Sequence, residues 1–342
     1  MKVVVVGAGI IGLLTAHELS LRGLDVTVVD AGDARPPASW AGGGILSPLY
    51  PWRYPDSLTA LARGAHAAYQ TIAETICQAG LMDPEIHACG MRVLDEPNPS
   101  RALAWAAENK VALELDGDTL LLPSVSAIRN SRLLEGLFGL LRQQGVTFRS
   151  GRVSRIEYQG QLPVAWVGER RFQADRLVLC AGAWSAGLLA DVGINLPLRP
   201  VKGQMLRYQL EKTVAPASIL LGYGGYLIPR RDGSLLVGST LEPEVFDQRP
   251  TQAGCTELLA VAANLMPALV EQQPVAQWAG LRPGNDRATP WIGSVPGHDA
   301  MLVAVGHYRN GLVCGPATAG LLSRLVVGES PDIDPQPYAL PR

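Results

Sequence analysis

The chain has 342 residues, of which 47% are hydrophobic and 18% are charged. This balance favours a well-buried globular protein over a disordered or fibrous chain, and the length exceeds what one hydrophobic core usually holds. The formal net charge is −2 and no lysine/arginine run stands out, so no nucleic-acid partner is expected. The five cysteines are odd in number and lack CxxC spacing, which argues against a disulfide framework and a zinc site.

The N-terminus predicts a cytoplasmic protein. Met1 and Lys2 lead directly into a strand-like run, and the glycines after it interrupt any signal-peptide core. No segment reaches about 18 uninterrupted apolar residues, so no integral membrane segment is expected.

The chain opens with a βαβ pattern. The all-apolar run 3–6 predicts a strand covered on both faces, and residues 10–21 predict a helix that Gly23 ends with a left-handed cap. Residues 26–29 predict a second buried strand, which ends at Asp30.

Farther along, residues 31–55 are rich in Gly, Pro and Trp and are interpreted as loop, and helical spacing returns at 57–76 and 129–144. Residues 81–122 give no clear pattern. Strand-like runs follow at 153–158, 177–180, 205–208, 226–229, 235–238 and 301–304, and the last helix is predicted at 312–327. The proline-rich residues 331–342 are expected to trail over the surface.

Turn signals such as Arg231-Asp232-Gly233 mark the middle strands as antiparallel, whereas the terminal regions repeat βα units. The predicted fold class is therefore α/β, with a Rossmann-like parallel sheet and a second, largely antiparallel α+β domain for the substrate. We assign residues 1–80, 145–198 and 296–342 to the nucleotide-binding domain, and residues 81–144 and 199–295 to the substrate-binding domain.

The first glycine motif predicts dinucleotide binding. Gly7 allows a tight turn after the strand, Gly9 lets the backbone approach a pyrophosphate, and Gly12 lets the helix pack closely on the sheet. The helix N-terminus offers N–H groups to phosphates, and Asp30 stands where an acid bonds ribose hydroxyls. The motif alone does not separate NAD from FAD.

Two further stretches are compatible with a cofactor. Residues 39–46 contain three consecutive glycines, which are plausible where backbone lies against a ligand, although a flexible linker would show the same composition. Residues 174–185 form a strand that runs into a small-residue turn, which could equally be a packed strand end.

With these motifs in place, the chain resembles the FAD-dependent glycine oxidase / D-amino-acid oxidase / sarcosine oxidase family, with glycine oxidase as the nearest likeness within it. The matching segments are VVVVGAGIIGLLTAHEL, SWAGGGILSP, DRLVLCAGAWS, RPVKGQML, GYLIPRRDGSLLVGSTLE, WAGLRPGNDRATPWIG and GHYRNGLVCGPATAG. They occur in the family's order over nearly the whole chain, whereas residues 81–122 match poorly.

The resemblance implies that the nucleotide-binding domain holds FAD. It implies non-covalent binding, because the cysteine that carries FAD in covalently flavinylated members has no counterpart near Arg282. It places the N-terminus of the last helix at the flavin, where it could stabilise negative charge. The cofactor-binding positions that it implies are Gly7, Ala8, Gly9, Ile10, Ile11, Gly12, Asp30, Ala31, Ser39, Trp40, Ala41, Gly43, Gly44, Leu46, Val153, Ala181, Gly182, Trp184, Arg309, Asn310, Gly311 and Leu312.

The resemblance also implies a substrate site made by Arg282, Tyr226 and Arg309. A guanidinium fixes a carboxylate with two parallel donors, so Arg282 is the expected carboxylate anchor and Tyr226 shares it. Arg309 is either a second carboxylate contact or serves only the flavin. Gly224 leaves space near Tyr226, which leaves the substrate size open.

The implied reaction is oxidation of the carbon–nitrogen bond of a small amino acid or amine. A hydride passes from the α-carbon to flavin N5, the resulting imine is hydrolysed, and oxygen is the expected acceptor, giving hydrogen peroxide. Glycine, sarcosine, a larger D-amino acid and a cyclic imino acid all stay open as substrates, and a homo-oligomer is compatible with the sequence.

Three alternatives stay open. The first is an FAD-dependent dehydrogenase that passes electrons to a quinone or a carrier protein. The second is an NAD-dependent dehydrogenase, which the Arg309-Asn310-Gly311 segment disfavours. The third is a non-catalytic subunit that holds FAD structurally.

Overall fold

The structure is a computed structural model that describes residues 1–32 and 37–341. Its helices are α1 (Ile10–Leu21), α2 (Ala38–Ala41), α3 (Asp56–Ala62), α4 (Ala65–Gln78), α5 (Pro99–Asn109), α6 (Asn130–Gln143), α7 (Ser185–Ala190), α8 (Gln252–Leu265) and α9 (Gly315–Val327). Its strands are β1 (Lys2–Val6), β2 (Asp25–Asp30), β3 (His87–Ala88), β4 (Met91–Val93), β5 (Glu114–Asp116), β6 (Thr119–Leu122), β7 (Ser126–Ala127), β8 (Thr147–Ser150), β9 (Arg155–Gln159), β10 (Leu162–Val167), β11 (Arg170–Gln173), β12 (Arg176–Leu179), β13 (Arg199–Gln209), β14 (Ile219–Gly222), β15 (Gly225–Pro229), β16 (Ser234–Gly238), β17 (Glu242–Pro243), β18 (Ala276–Gly284), β19 (Trp291–Val295) and β20 (His298–Val305).

The first sheet has the strand order β19-β20-β12-β1-β2-β8 and is parallel except for β19. Its central strand β1 is buried on both faces: Val3 and Val5 pack into the core with α1, and Val4 and Val6 pack into the opposite core. The continuous apolar run is therefore explained by two covered faces, as expected of a parallel strand. Helices α1, α6 and α9 cover one face, and α7 with the sheet β11-β10-β9 covers the other.

The second sheet has the order β17-β13-β16-β15-β14-β4-β6-β5, and β18 pairs with β13 off this path. Its pairs are antiparallel apart from β14 with β4. Helix α8 packs against one face through Leu258 and Leu265, which join the core beside Leu206 and Val237. The predicted combination of a Rossmann-like parallel sheet and a largely antiparallel second layer is confirmed.

The division of the chain into two domains stays a prediction, but two elements pack differently from it. Leu133 and Leu137 of α6 are fully buried against α1, so α6 covers the parallel sheet although it falls within 81–144. Ile292 of β19 pairs with Ala304 of β20, so β19 belongs to the same sheet although it falls within 199–295. Helix α6 packs there because its apolar stripe faces α1. Strand β19 belongs to the first sheet because it forms an antiparallel hairpin with β20 and so adds an edge strand.

The chain's end is also more tightly packed than expected. Tyr338 is only 1% exposed and donates a hydrogen bond from its hydroxyl to the Ser57 carbonyl at 2.6 Å. Leu340 joins the core beside the parallel sheet. The expectation of a surface tail is wrong for these residues, while Arg342 lies outside the described residues.

Smaller differences concern element bounds. The helical stretch predicted at 57–76 is two helices, α3 and α4, separated by Gly64 in the left-handed region at φ 76°. The stretch 31–55, predicted as loop, contains the short helix α2, and its residues 33–36 lie outside the described part. Residues 81–122 contain α5 and the strands β3 to β6. Among the helices described, none is long and apolar enough to cross a bilayer.

Candidate active site

A cavity of about 770 Å³ lies between the two sheets. Gly7 and Asp30, at the carboxyl ends of β1 and β2, form one side of its wall, and Gly203 of β13 and Arg282 of β18 form the other. Ligands of open α/β sheets bind outside the carboxyl ends of the parallel strands. The cavity therefore occupies the position that the fold class favours for a ligand.

The glycine motif brings the backbone of β1 and α1 close to this cavity. Gly7 has φ 109°, and a side chain there would overlap the Cys180 carbonyl. A side chain at Gly12 would overlap the Gly7 carbonyl. At Gly9, by contrast, the nearest atom to an added Cβ is the Ser39 hydroxyl at 3.3 Å. Gly7 and Gly12 thus allow tight packing, while Gly9 leaves backbone open to the cavity.

The first turn of α1 and the end of β2 are joined by polar contacts. The Asp30 carboxylate accepts hydrogen bonds from the Ala8 N–H at 2.7 Å and the Gly32 N–H at 2.9 Å. The Ser39 hydroxyl accepts the Ile10 N–H at 2.9 Å. This corner presents a carboxylate beside the positive end of a helix, the arrangement that dinucleotide sites use for ribose and pyrophosphate.

The triple-glycine segment is held from beneath by two buried side chains. Arg230 donates to the Gly43 carbonyl at 2.7 Å and to the Ile128 carbonyl at 3.0 Å. Asn130 donates to the Gly42 carbonyl at 3.0 Å. Burial lowers the pKa of Arg230 to about 10, which leaves its guanidinium charged at neutral pH. The segment is therefore fixed in place, which disfavours the alternative of a flexible linker.

Arg282 stands on β18 where that strand pairs with β13. Its guanidinium occupies the space that a side chain at Gly203 would need. It donates to the Ser239 hydroxyl at 2.6 Å and to the Thr240 carbonyl at 3.2 Å. Burial lowers the pKa of Arg282, and the positive charge of Arg309 acts in the same direction. A partly desolvated cation at the cavity wall is well suited to bind an anion.

Tyr226 on β15 lies next to this cation. It is 7% exposed, its hydroxyl lies 3.5 Å from Met205 Sδ, and its proximity to Arg282 opposes the lowering of the Arg282 pKa by burial. A Cβ at Gly238 would lie 2.6 Å from the Tyr226 ring. Small residues beneath the ring thus determine where the phenol stands.

The turn after β20 completes this end of the wall. Tyr308 has φ 50° and donates its N–H to the Pro283 carbonyl at 3.0 Å, one residue from Arg282. Asn285 donates to the Thr289 and Gly306 carbonyls and so fixes the start of the turn. Burial lowers the pKa of His307 to about 3, so this wall residue is neutral at physiological pH.

Most of the predicted site residues line this one cavity. They are Gly7, Ala8, Gly9, Ile10, Ile11, Asp30, Ala31, Ser39, Ala41, Gly43, Gly44, Val153, Ala181, Gly182, Trp184, Tyr226, Arg282, Arg309, Gly311 and Leu312. Gly12, Trp40, Leu46 and Asn310 do not line it: Trp40 instead packs edge-on against Trp278, with ring centroids 6.0 Å apart.

Two predicted features are displaced along the chain. Val153 lies in the loop before β9 and not within a strand, since β9 begins at Arg155. Helix α9 begins at Gly315, after a turn in which the Cys314 N–H bonds the Asn310 carbonyl at 2.9 Å. Arg309 and Leu312 therefore belong to this turn, and the expectation of a helix start at 312 is wrong.

Sequence reasoning missed several residues of the site. Gly203, Ser239, Tyr308, Arg230 and Asn130 carried no motif signal of their own. The RPVKGQ and RPGND segments were recognised as family segments, but their pairing across β13 and β18 became visible only in the fold.

The charges of the wall are unevenly distributed. Among the described residues that line the cavity, Asp30 is the sole carboxylate, and it lies at the glycine-motif end. Arg282 and Arg309 stand at the other end with Tyr226 and Tyr308. Within the described part of the chain no His/Cys/Asp/Glu group could hold a metal ion. The arrangement can hold a dinucleotide at one end and orient an anionic substrate at the other.

This fold and site define a dinucleotide-dependent oxidoreductase. The family model described as DAO, FAD dependent oxidoreductase, matches residues 2–325, and the chain belongs to this family. It is an FAD-dependent oxidoreductase that acts on the carbon–nitrogen bond of an amino acid or amine, as the sequence predicts.

Individual relatives agree with the family match. The chain is 42% identical to a glycine oxidase of Pseudomonas aeruginosa and 42% identical to a glycine oxidase of Pseudomonas putida, with 99% of this chain and 98% of each relative covered. Among solved structures, a glycine oxidase from Geobacillus kaustophilus superposes with a TM-score of 0.92 at 26% identity, covering 100% of this chain and 99% of that one.

Replacing Gly203 by alanine tests whether the Arg282 guanidinium needs the space above Gly203. The added methyl group would displace the end of a flexible side chain, so we expect little loss of stability but a rise in KM for a carboxylate substrate of about tenfold or more, roughly 1.4 kcal/mol. Steady-state kinetics and thermal unfolding measure the two effects. Gly320→Ala on α9, where an added Cβ meets open space, is the matched control. Equal KM values in both variants would contradict this role of Gly203.

Proposed function

We propose that this enzyme oxidises glycine or a small N-substituted glycine and passes the electrons to molecular oxygen. The observation that carries the proposal is the partly desolvated Arg282 guanidinium, seated over Gly203 and beside Tyr226 in the cavity wall. The two relatives named glycine oxidase, each 42% identical over nearly the whole chain, support the substrate and the acceptor.

The residues present fit FAD. Gly9 leaves the backbone open at the N-terminus of α1, where a pyrophosphate is favoured, and Asp30 offers a carboxylate to a ribose. The backbone of residues 42–44, held by Arg230 and Asn130, would pass along the middle of the dinucleotide. The turn at Gly311 would lie at the flavin end. When bound there, FAD accepts the hydride that the substrate loses.

Arg282 would bind the substrate carboxylate, with the Tyr226 hydroxyl as second donor. A guanidinium on β18 and a phenol on β15, two strands of the second sheet, would hold a carboxylate in one orientation, which directs the α-carbon in a defined direction. Arg309 would add positive charge to the same pocket, since it already lowers the pKa of Arg282. Orienting the substrate's α-carbon in this way is the chain's main contribution to catalysis.

The names of the relatives favour a small substrate, since both are glycine oxidases. Around Tyr226 the wall is tightly packed: its ring and Met205 lie where a Cβ at Gly238 would be placed, and its ring and Ile228 lie where a Cβ at Gly43 would be placed. The cytoplasmic location and a possible homo-oligomer stay predictions from the sequence.

Glycine should reduce the bound flavin in the absence of oxygen. Adding it anaerobically to the FAD-loaded enzyme is expected to bleach the flavin absorption band faster than D-alanine or larger D-amino acids do. Admitting air should then restore the band and release hydrogen peroxide, followed with a peroxidase-coupled assay. Reduced flavin that persists in air but reoxidises with a quinone would favour the dehydrogenase. Flavin that no amine bleaches would favour the non-catalytic subunit.

Removing the Arg282 guanidinium should weaken substrate binding without releasing FAD. We expect Arg282→Ala to raise KM for glycine on the order of a hundredfold or more, because a partly buried carboxylate would lose its charged partner. Arg282→Lys should recover only part of this loss, since an ammonium cannot donate in the same fork. Flavin absorbance after gel filtration reports FAD content. An unchanged KM in Arg282→Ala would remove this residue from the substrate site.

The pH dependence should follow the substrate amine. The described wall has no carboxylate near Arg282, and His307, with a pKa of about 3, stays neutral above that pH. The reactive amine must be neutral, so kcat/KM should rise with pH until the amine's own pKa is passed. Profiles for two substrates with different amine pKa values should break at different pH. A common break for both substrates would instead indicate an enzyme base.

A further inference from the structure

The segment 242–251, here called the clasp, joins β17 to α8 and reaches across the cavity. Gln248 forms part of the cavity wall. Phe246 contacts Trp184, which lies in the turn after β12 of the parallel sheet, with ring centroids 6.2 Å apart. The clasp therefore starts on the second sheet, ends at the helix packed against that sheet, and contacts the turn after β12 of the first sheet at its tip.

One buried glutamine joins the two ends of the clasp. The Gln204 side-chain amide donates to the Glu242 carboxylate at 2.7 Å and to the Thr251 hydroxyl at 2.8 Å, and its carbonyl accepts the Thr251 N–H at 2.8 Å. Gln204 is fully buried, and the space for it exists because residue 254 is glycine. A closed polar network at this depth gives the clasp a fixed base.

A second set of contacts anchors the Glu242 end. Its carboxylate accepts the Thr240 hydroxyl at 2.7 Å and lies 3.4 Å from the ammonium of Lys202, which is 2% exposed. Burial alone would raise the pKa of Glu242, but the bonds from Gln204 and Thr240 and the charge of Lys202 lower it, so the carboxylate is ionised at neutral pH. The base of the clasp is thus rigid.

The tip, by contrast, is only partly covered. Phe246 is 56% exposed and Trp184 is 38% exposed, although both are large apolar side chains. Partly exposed aromatic pairs at a cavity mouth are typical of binding surfaces. The Phe246 ring thus meets Trp184 beside the cavity wall, to which Trp184 and Gln248 belong.

The position of the tip indicates which part of the dinucleotide it covers. The Gly151 N–H bonds the Asp30 carbonyl at 2.7 Å, so the wall residue Arg152 lies next to the strand end that carries the ribose-binding acid. The Arg152 guanidinium lies 5.6 Å from the Trp184 ring. The tip therefore lies near the Asp30 end of the cavity, although the turn that carries Trp184 also packs against β18, the strand of Arg282.

We propose that the clasp is a cofactor-retention element in which the Phe246–Trp184 contact closes over the adenosine half of FAD. Phe246 belongs to the second sheet and carries no dinucleotide motif, so this assigns it a binding role. The inference rests on FAD binding along this cavity, and it does not depend on which amine is oxidised.

Phe246→Ala should release FAD faster than the wild type. We expect the FAD dissociation rate and the dissociation constant to rise about tenfold or more, measured by the recovery of free-flavin fluorescence after dilution, with no substrate present. Phe246→Trp should retain FAD, because an aromatic ring still meets Trp184. Leu115→Ala on β5, 53% exposed and outside the cavity wall, is the matched control and should leave retention unchanged.

Two further variants test the geometry. If the two rings act through their mutual contact, the double variant Phe246→Ala/Trp184→Ala should lose less FAD-binding free energy than the sum of the losses in the two single variants. Gln204→Leu, which removes the base of the clasp, should also speed FAD release. Wild-type retention in Phe246→Ala would overturn the proposal. So would normal retention with a raised KM for the amine, which would place the clasp at the substrate entrance.

Discussion

The Arg282 guanidinium rests in a space that exists only because residue 203 is glycine. The pairing of β13 with β18 brings the two residues together, and the absence of a side chain at Gly203 lets the guanidinium lie there. Since burial already lowers the pKa of Arg282, the site gains stability when an anion approaches. A substrate carboxylate at this position would stabilise the charged guanidinium and would orient the rest of the substrate.

A second buried guanidinium, that of Arg230, holds the glycine segment beside the second sheet. Its donors are used by the Gly43 and Ile128 carbonyls, so it acts as a fixed brace between the second sheet and the glycine segment. Arg282 also donates to a carbonyl and a hydroxyl, but its side chain lines the cavity. The two arginines therefore differ in position: Arg282 lines the cavity, whereas Arg230 does not.

The sequence predicts well those features that depend on local pattern. The valine run of β1, the glycine turn and Asp30 are close in the chain, and their geometry follows from short-range rules. Arg282, the proposed substrate-binding residue, is indicated by the family resemblance. The helix pattern of α6 was also clear, but which sheet it covers depends on contacts with α1 that the pattern does not contain.

The missed residues act over long separations. Arg230 and Gly43 are 187 positions apart, and Phe246 meets Trp184 across two sheets. Gly203 has no signal of its own, because its importance arises from the side chain that lies above it in the neighbouring strand. Tyr338 is buried although the nearby sequence is rich in proline, since its ring packs into the hydrophobic core and its hydroxyl donates to the Ser57 carbonyl. Only the folded chain brings these partners together.

The central claim is that Arg282 holds an anion next to bound FAD. Titrating the FAD-loaded enzyme with glycolate, a carboxylate without the amine, tests it directly. A saturable change in the flavin absorption bands is expected for the wild type, with no such change for glycolamide and a large loss of affinity for glycolate in Arg282→Ala. Equal glycolate affinity in the wild type and in Arg282→Ala would contradict the account.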